Sequence, residues 1–150
     1  LTSHRLPEEP LVSIVTPCLN AARFLEETIE SVLSQDYPRI EYIVVDGGST
    51  DETLKILKRY GSRLVWTSGS DLGTPDAINR GFVGARGQIF GFLNADDTYL
   101  PGAVSKAVQA FTENVGAAGV YGEAWWIDES GKRLRHYPVK DFDARLFAEE

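Results

Sequence analysis

An apolar run, GQIFGFL, ends abruptly in Asn94-Ala95-Asp96-Asp97. Adjacent carboxylates repel each other and resist burial, so a pair at the mouth of a core strand calls for a counter-charge. A divalent cation supplies one. An oxygen-only donor set suits Mg²⁺ or Mn²⁺, ions that keep several waters and bridge to substrate phosphates. The competing reading is a cap for the helix that opens near Pro101. Its spacing is poor, because a cap stands immediately before its helix, nearer Leu100. Asp96 and Asp97 are therefore the candidate metal ligands.

A second cluster follows IEYIVVD, where Asp46 leads into Gly47-Gly48-Ser49-Thr50-Asp51. A carboxylate at a strand tip can accept hydrogen bonds from a base or a ribose, and Gly47 and Gly48 allow close backbone approach. The plain alternative is a turn in which Ser49, Thr50 or Asp51 caps the next helix. Asp51 fits that cap, whereas Asp46 precedes the turn and is not needed for it. In DLGTPDAINRG, Asp71 to Gly81, Thr74-Pro75-Asp76 makes a helix start. Asp76, Asn79 and Arg80 read equally well as a solvated helical face, and Arg80 could meet a phosphate. Cys18 has no histidine near it in sequence and reads as a buried thiol rather than a nucleophile. His4 and His136 lack metal-ligand spacing. Trp125 and Trp126 alternate sides of a strand, which predicts one in the core and the other exposed.

These clusters need elements that bring them together. LVSIVT (11–16), IEYIVVD (40–46), RLVWTS (63–68) and QIFGFL (88–93) predict four strands. Between them, apolar residues recur at helical spacing from Phe24 up to Gln35, with Asn20 as the cap, from Leu54 to Tyr60 before Gly61, and from Pro75 through Ala85. Another helix opens at Pro101, with Val104, Ala107, Val108 and Phe111 inward. GVYGEAWWID and RLRHYP flank the turn ESGK as a hairpin. Strand and helix alternate four times, and the strands are nearly continuous apolar runs. That predicts an α/β class: a doubly wound, mostly parallel sheet with right-handed connections and a late β-hairpin. Ligands of such sheets bind at the carboxyl ends of the strands, where these three polar clusters fall together with Thr16-Pro17-Cys18-Leu19-Asn20 after the first strand. No G-x-G-x-x-G or GxxxxGK[ST] follows the first strand, so phosphate must be held another way, which again points to a cation.

Composition sets the outer limits. The chain has 150 residues, 43% hydrophobic and 25% charged, with a net charge of -7. This is globular composition, and its acidity argues against binding nucleic acid or an anionic membrane non-specifically. A single cysteine forms no intramolecular disulfide, which predicts a reducing, cytoplasmic compartment. LTSHRLPEEP shows no signal-peptide pattern, and no stretch approaches the length of a membrane span.

Taken in order, TPCLN, VVDGGSTD, SDLGTPDAINRG and FLNADD resemble the inverting family-two glycosyltransferases of GT-A fold, from about Leu11 to Pro101 and more weakly through the hairpin. Residues 1–10 read from the sequence itself as a loose N-terminal arm; the resemblance implies 11–150 as a GT-A domain, Rossmann-like in its nucleotide-binding half and truncated on the acceptor side. It implies a nucleotide-sugar donor, with Thr16, Pro17 and Asn20 in the first nucleotide-binding loop and Asp46 on the nucleobase, beside Gly47. Asp71 matches an acidic residue on the donor side, and Asp76 and Asn79 match polar positions of the following helix. Asn94-Ala95-Asp96 falls on the D-x-D motif, with Asp96 in the metal-binding place and Asp97 either supporting it or contacting the ribose or sugar. Asn94 stands where the motif's first carboxylate would be. Pro75 stands where an aromatic residue is frequent.

The implied reaction is metal-assisted sugar transfer with inversion to the hydroxyl of a saccharide or lipid-linked saccharide, in cell-envelope polysaccharide synthesis, at the inner face of the membrane. No carboxylate here aligns with a catalytic base, which the resemblance puts beyond residue 150. The rival readings are a sugar nucleotidyltransferase, which would show a glycine-rich, basic loop after the first strand, and a non-catalytic nucleotide-sugar-binding module.

Overall fold

The computed structural model describes residues 6–139. They fall into two compact units, Leu1–Gly116 and Ala117–Glu150. The first contains β1 (Val12–Cys18), α1 (Leu25–Leu33), β2 (Ile40–Asp46), α2 (Thr53–Tyr60), β3 (Val65–Ser68), α3 (Thr74–Gly84), β4 (Ile89–Phe92) and α4 (Ala103–Glu113). A 3-10 turn over Gly61–Arg63 precedes β3, so that strand begins two residues later than its apolar pattern suggests.

The four strands form one parallel sheet in the order β3-β2-β1-β4. Side chains alternate across it. Val12, Ile14, Tyr42 and Val44 face one way and pack with Leu25, Ile29 and Val32 of α1, Ile56 and Leu57 of α2, and Val104 and Val108 of α4. Val15, Ile43 and Val45 face the other way, against Ala77, Phe82 and Ala85 in and just beyond α3. Both faces of the central strands are covered, which explains why β1 is buried at every position.

The placement of the helices follows from the path of the chain. From β1 through β2 to β3 it steps one way across the sheet, and α1 and α2 lie on one face. From β3 it returns past β1 to β4, and α3 lies on the opposite face. Crossovers that keep a single hand must change face when the direction reverses. The connections leaving β2 and β3 therefore diverge to opposite faces at the carboxyl ends of those strands, the edge where ligands of such sheets bind.

Close backbone approach sets α3 on the sheet. A Cβ at Gly81 would lie 2.5 Å from Cγ1 of Val15, so only glycine allows this contact. Residues 6–10 are less free than an arm: Leu6 packs on the core, and Tyr37 Oη donates to the Pro10 carbonyl at 2.6 Å.

The second unit holds β5 (Ala124–Ile127) and β6 (Arg133–Tyr137), an antiparallel hairpin with a register shift between Trp126 and Ile127. Its turn is built on Asp128, whose carboxylate accepts from Ser130 N, Ser130 Oγ and Lys132 N. The expectation that one tryptophan would be core is corrected. Trp125 and Trp126 are 40% and 59% exposed. Among the described residues of this unit the hairpin has no further strand or helix to pack on. Trp125 instead meets the His136 ring at a tilt, with centroids 4.9 Å apart, and Trp126 meets Tyr137 edge-on.

Candidate functional site

The loops leaving β1 and β4, with the start of α3, enclose a cleft of about 430 Å³. Pro17, Leu19, Asn20, Ala21 and Phe24 line it from the β1 side, Thr74 from α3, and Asn94, Ala95 and Asp96 from the end of β4. Five expected residues thus meet in one place: Pro17, Asn20, Asn94, Ala95 and Asp96. Leu19, Ala21, Phe24 and Thr74 join them without having been singled out from sequence. Thr74 carried only a helix-start signal, Phe24 only its place in the helical apolar pattern, and Leu19 and Ala21 none of their own.

A second group gathers at the carboxyl ends of β2 and β3. Asp46 is 1% exposed, and its carboxylate is fully engaged. Oδ2 accepts from Gly48 N at 3.1 Å, Ser49 N at 3.0 Å and Ser68 Oγ at 2.6 Å. Oδ1 accepts from Ser49 Oγ, and from the Cys18 thiol across 3.7 Å. Burial pushes the Asp46 carboxyl up, but the Ser49 and Ser68 hydroxyls and the Ser49 and Gly48 amides outweigh it and hold the group below the usual carboxylate range. Asp46 therefore fixes its own turn and ties the end of β2 to the end of β3. Ser68 is a partner that sequence reasoning missed. Its signal is the register, which sets Ser68 opposite Asp46.

Gly47 packs against Asp71 so closely that a Cβ there would lie 2.9 Å from Asp71 Oδ2. The other oxygen of Asp71 accepts from Gly73 N at 2.8 Å. Asp76 accepts from Leu72 N at 3.1 Å and pairs with Arg80 at 2.7 Å, while Arg80 also donates to the Ser70 carbonyl. These residues hold the loop before α3, and Asn79 is exposed outside the cleft. Thr16 is wholly buried, its Oγ1 3.0 Å from Tyr42 Oη beneath the site.

Asn20 does not cap α1, which starts five residues later without a side-chain cap. It adopts a left-handed backbone, φ 51°, and its Oδ1 accepts from Thr50 N at 2.9 Å. Its own amide donates to Ser49 Oγ at 2.7 Å. Ala21 N and Ala22 N continue the seam to Thr53 Oγ1 and Asp51 Oδ2. Asp51 also accepts from Thr53 N at 2.9 Å, serving the first turn of α2 as expected. The loops after β1 and β2 are thus one hydrogen-bonded body. Cys18 lies beneath it, 7% exposed, and burial together with the Asp46 charge drives its thiol pKa strongly upward. That favours the buried-thiol reading over a nucleophile.

At the end of β4, Leu93 N donates to the Val15 carbonyl at 3.0 Å, and the chain turns with Asp97 N on the Asn94 carbonyl at 3.1 Å. Asn94 Nδ2 donates to Asp97 Oδ2 at 3.1 Å. Asp96 and Asp97 are both exposed. No group of three or more His, Cys, Asp or Glu assembles among the described residues. The protein offers two exposed carboxylates and no cage. That donor set fits a hard divalent cation that completes its shell with water and phosphate oxygens, and does not fit a structural zinc.

In the hairpin unit, Asp128 is committed to its turn and Glu123 lies 3.1 Å from His136 Nε2. Asp141 lies outside the described residues.

The family model described as "Glycosyl transferase family 2" matches residues 13–147. The O-antigen biosynthesis protein RfbC of Myxococcus xanthus is 38% identical over 148 residues, covering 95% of this chain and 12% of that protein. The chain spans less than half the length of the relatives it matches. Among solved structures, the mannosyltransferase PcManGT of Pyrobaculum calidifontis in complex with GDP-Man and Mn²⁺ superposes with TM-score 0.66 at 26% identity, over 81% of this chain and 37% of that one. S. aureus TarS 1-349 in complex with UDP-GlcNAc gives TM-score 0.65 at 27% identity, over 69% of this chain and 31% of that one. The α/β sheet is that of GT-A transferases. No helix among the described residues is long and apolar enough to cross a membrane.

Proposed function

The chain belongs to glycosyl transferase family 2, and from that premise we propose that it forms the donor-binding part of an inverting sugar transferase that uses a nucleotide-diphosphate sugar. The observation that carries this reading is the cleft at the carboxyl edge of the sheet, where Asp96 meets the loop after β1. Two structural neighbours are complexes with such donors, UDP-GlcNAc and GDP-Man, the second also with Mn²⁺. RfbC, by its name, acts in O-antigen synthesis, which favours a saccharide or lipid-linked acceptor of the cell envelope, built at the inner face of the membrane.

Each residue has a stated task. Pro17, Leu19, Asn20 and Ala21 form the wall on which the nucleoside lies. Asp46 acts from below, holding the Gly48 and Ser49 amides and the ends of β2 and β3 in place for the base. Gly47 and Asp71 pack together beside it. Asp76 and Arg80 fix the loop that leads to Thr74 at the cleft. Asp96, with Asp97, would hold Mg²⁺ or Mn²⁺, which supplies charge neutralisation on the departing diphosphate. Asn94 contributes an amide where a further carboxylate would strengthen that hold, and it orients Asp97 through Oδ2.

Calorimetric titration of UDP and GDP, with Mn²⁺ and with EDTA, tests the reading. At least one nucleotide is expected to bind the wild-type chain more tightly with Mn²⁺. Asp96→Ala is expected to remove that gain. Equal affinity with and without the metal in the wild-type chain would overturn the proposal.

A further inference from the structure

α1 carries a polar stripe that its core role does not explain. Leu25, Ile29 and Val32 form its apolar face. Thr28 lies among them, 0% exposed, where valine would fill the same volume. A buried hydroxyl is costly without a partner, and a β-branched residue gains nothing for the helix. Its partner is distant in sequence: Thr28 Oγ1 donates to the Asp97 carbonyl at 2.9 Å, closer than its own helical carbonyl, Phe24 O, at 3.5 Å.

The stripe continues at helical spacing. Ser31 Oγ accepts from Tyr99 N at 3.1 Å. Gln35, just past the helix end, donates to the Leu100 carbonyl at 3.1 Å and accepts from Val104 N at 3.2 Å. Residues 28, 31 and 35 fall on one line of successive turns. They serve, in order, the main chain of residues 97, 99, 100 and 104. The last of these caps α4, whose N-cap Gly102 has no side chain to do so. Backbone groups in an irregular segment must be satisfied somewhere, and here α1 satisfies them.

This arrangement bears on the acidic turn. Residues 94–97 are pinned to β1 at one end by Leu93 N on the Val15 carbonyl, and to α1 at the other by Thr28. Asp96 lies one residue from the second pin. We propose that Thr28 is a positioning residue for the Asp96–Asp97 carboxylates, acting through the Asp97 main chain, with Ser31 continuing the same support. The proposal rests on the donor-site reading above.

The test uses the full chain, with UDP and GDP as probes. The quantity is the affinity with saturating Mn²⁺ divided by the affinity in EDTA. Thr28→Val keeps the volume and removes the hydroxyl. It is expected to lower the ratio about fivefold, the worth of one hydrogen bond, with the EDTA affinity unchanged. Thr28→Ser restores the hydroxyl and is expected to restore the ratio. Amide exchange at Asp97 and Tyr99 should quicken in Thr28→Val. If that variant fails to fold, Ser31→Ala, at a half-buried position, carries the same expectation.

An unchanged ratio in a folded variant overturns the proposal, as does an equal fall in both affinities or a failure of Thr28→Ser to restore. A wild-type chain with no Mn²⁺ effect on either nucleotide overturns the donor-site reading itself, and the positioning role with it. The wild-type titration alone separates that failure from the others.

Discussion

Replacing Asp46 with asparagine probes the join of the strand ends most directly. The carboxylate accepts from Gly48 N, Ser49 N and Ser68 Oγ on one oxygen and from Ser49 Oγ and Cys18 Sγ on the other. An asparagine can keep its oxygen toward the first three donors. Those bonds then lose charge assistance, which falls from about 1.5–3 to about 1 kcal/mol each. Its amide must face Ser49 Oγ, which already accepts from Asn20 N, so the serine proton loses its acceptor. Taken at the low end of these ranges, the changes together cost about 2–4 kcal/mol. That corresponds to a fall in Tm on the order of 10 °C. Thermal unfolding followed by far-UV circular dichroism measures it, since every helix among the described residues lies in the first unit.

The pH dependence supplies an internal check. The folded pKa of Asp46 lies below its unfolded value. Its contribution is therefore complete above the unfolded pKa, about 4, and is lost as pH falls through the folded pKa. The gap between wild type and Asp46→Asn should stay level from neutral pH down to about 5 and close on further acidification. A loss under about 1 kcal/mol at neutral pH, or a gap that widens in acid, would refute the assignment of Asp46 as the anchor of this join.

The contact of α3 on β1 gives a paired test. Gly81→Ala would set a methyl 2.5 Å from Val15 Cγ1 and is expected to destabilise by about 1–2 kcal/mol after the gain in helix propensity. Gly84→Ala in the same helix meets no atom within 4 Å and should be neutral or mildly stabilising; urea titration of both variants decides, and equal effects would contradict the packing account. Cys18 should resist alkylation. At pH 8 the folded chain is expected to react with iodoacetamide on the order of a hundredfold more slowly than the urea-unfolded chain, and rapid labelling would show that the thiol is accessible.

Much of the fold was legible because periodicity survives wherever burial is two-sided. β2 begins and ends where its apolar run does. The expected edges of β3 and β4 ran too long, since hydrophobicity does not mark where a ladder ends: Arg63 belongs to a 3-10 turn, and Leu93 bonds to Val15 outside the regular strand. The hairpin was placed correctly, but a strand's alternation cannot say whether a second layer exists. Both tryptophans are exposed among the described residues. Asn20 was a plausible cap by residue type. Only the fold brings Thr50 within its reach, and that contact decides its role.

The site divides along a similar line. Residue type and a strand-end position sufficed to single out Asp46, Asp96 and Asp97, but not to say what each carboxylate does. Glu41 makes the point. It lies near the start of β2, its side chain 8% exposed, and it pairs with Arg86 at 2.7 Å and accepts from Ser13 Oγ at 2.6 Å. It and Asp46 are both shielded acids on one strand, and both are held ionised by their neighbours. One closes the end of the sheet away from the cleft; the other joins the loops beside it. Asp96 and Asp97 differ from both in being left exposed. The hydrogen bonds that fix their turn come from the main chain, from Asn94 and from Thr28, and Asp96 itself stays open at the cleft. Burying a carboxylate among donors builds structure, whereas holding one rigid in water keeps it available to a cation and its phosphate. Asn94 fits the same logic: its amide steadies Asp97 where a third carboxylate would add repulsion to the turn.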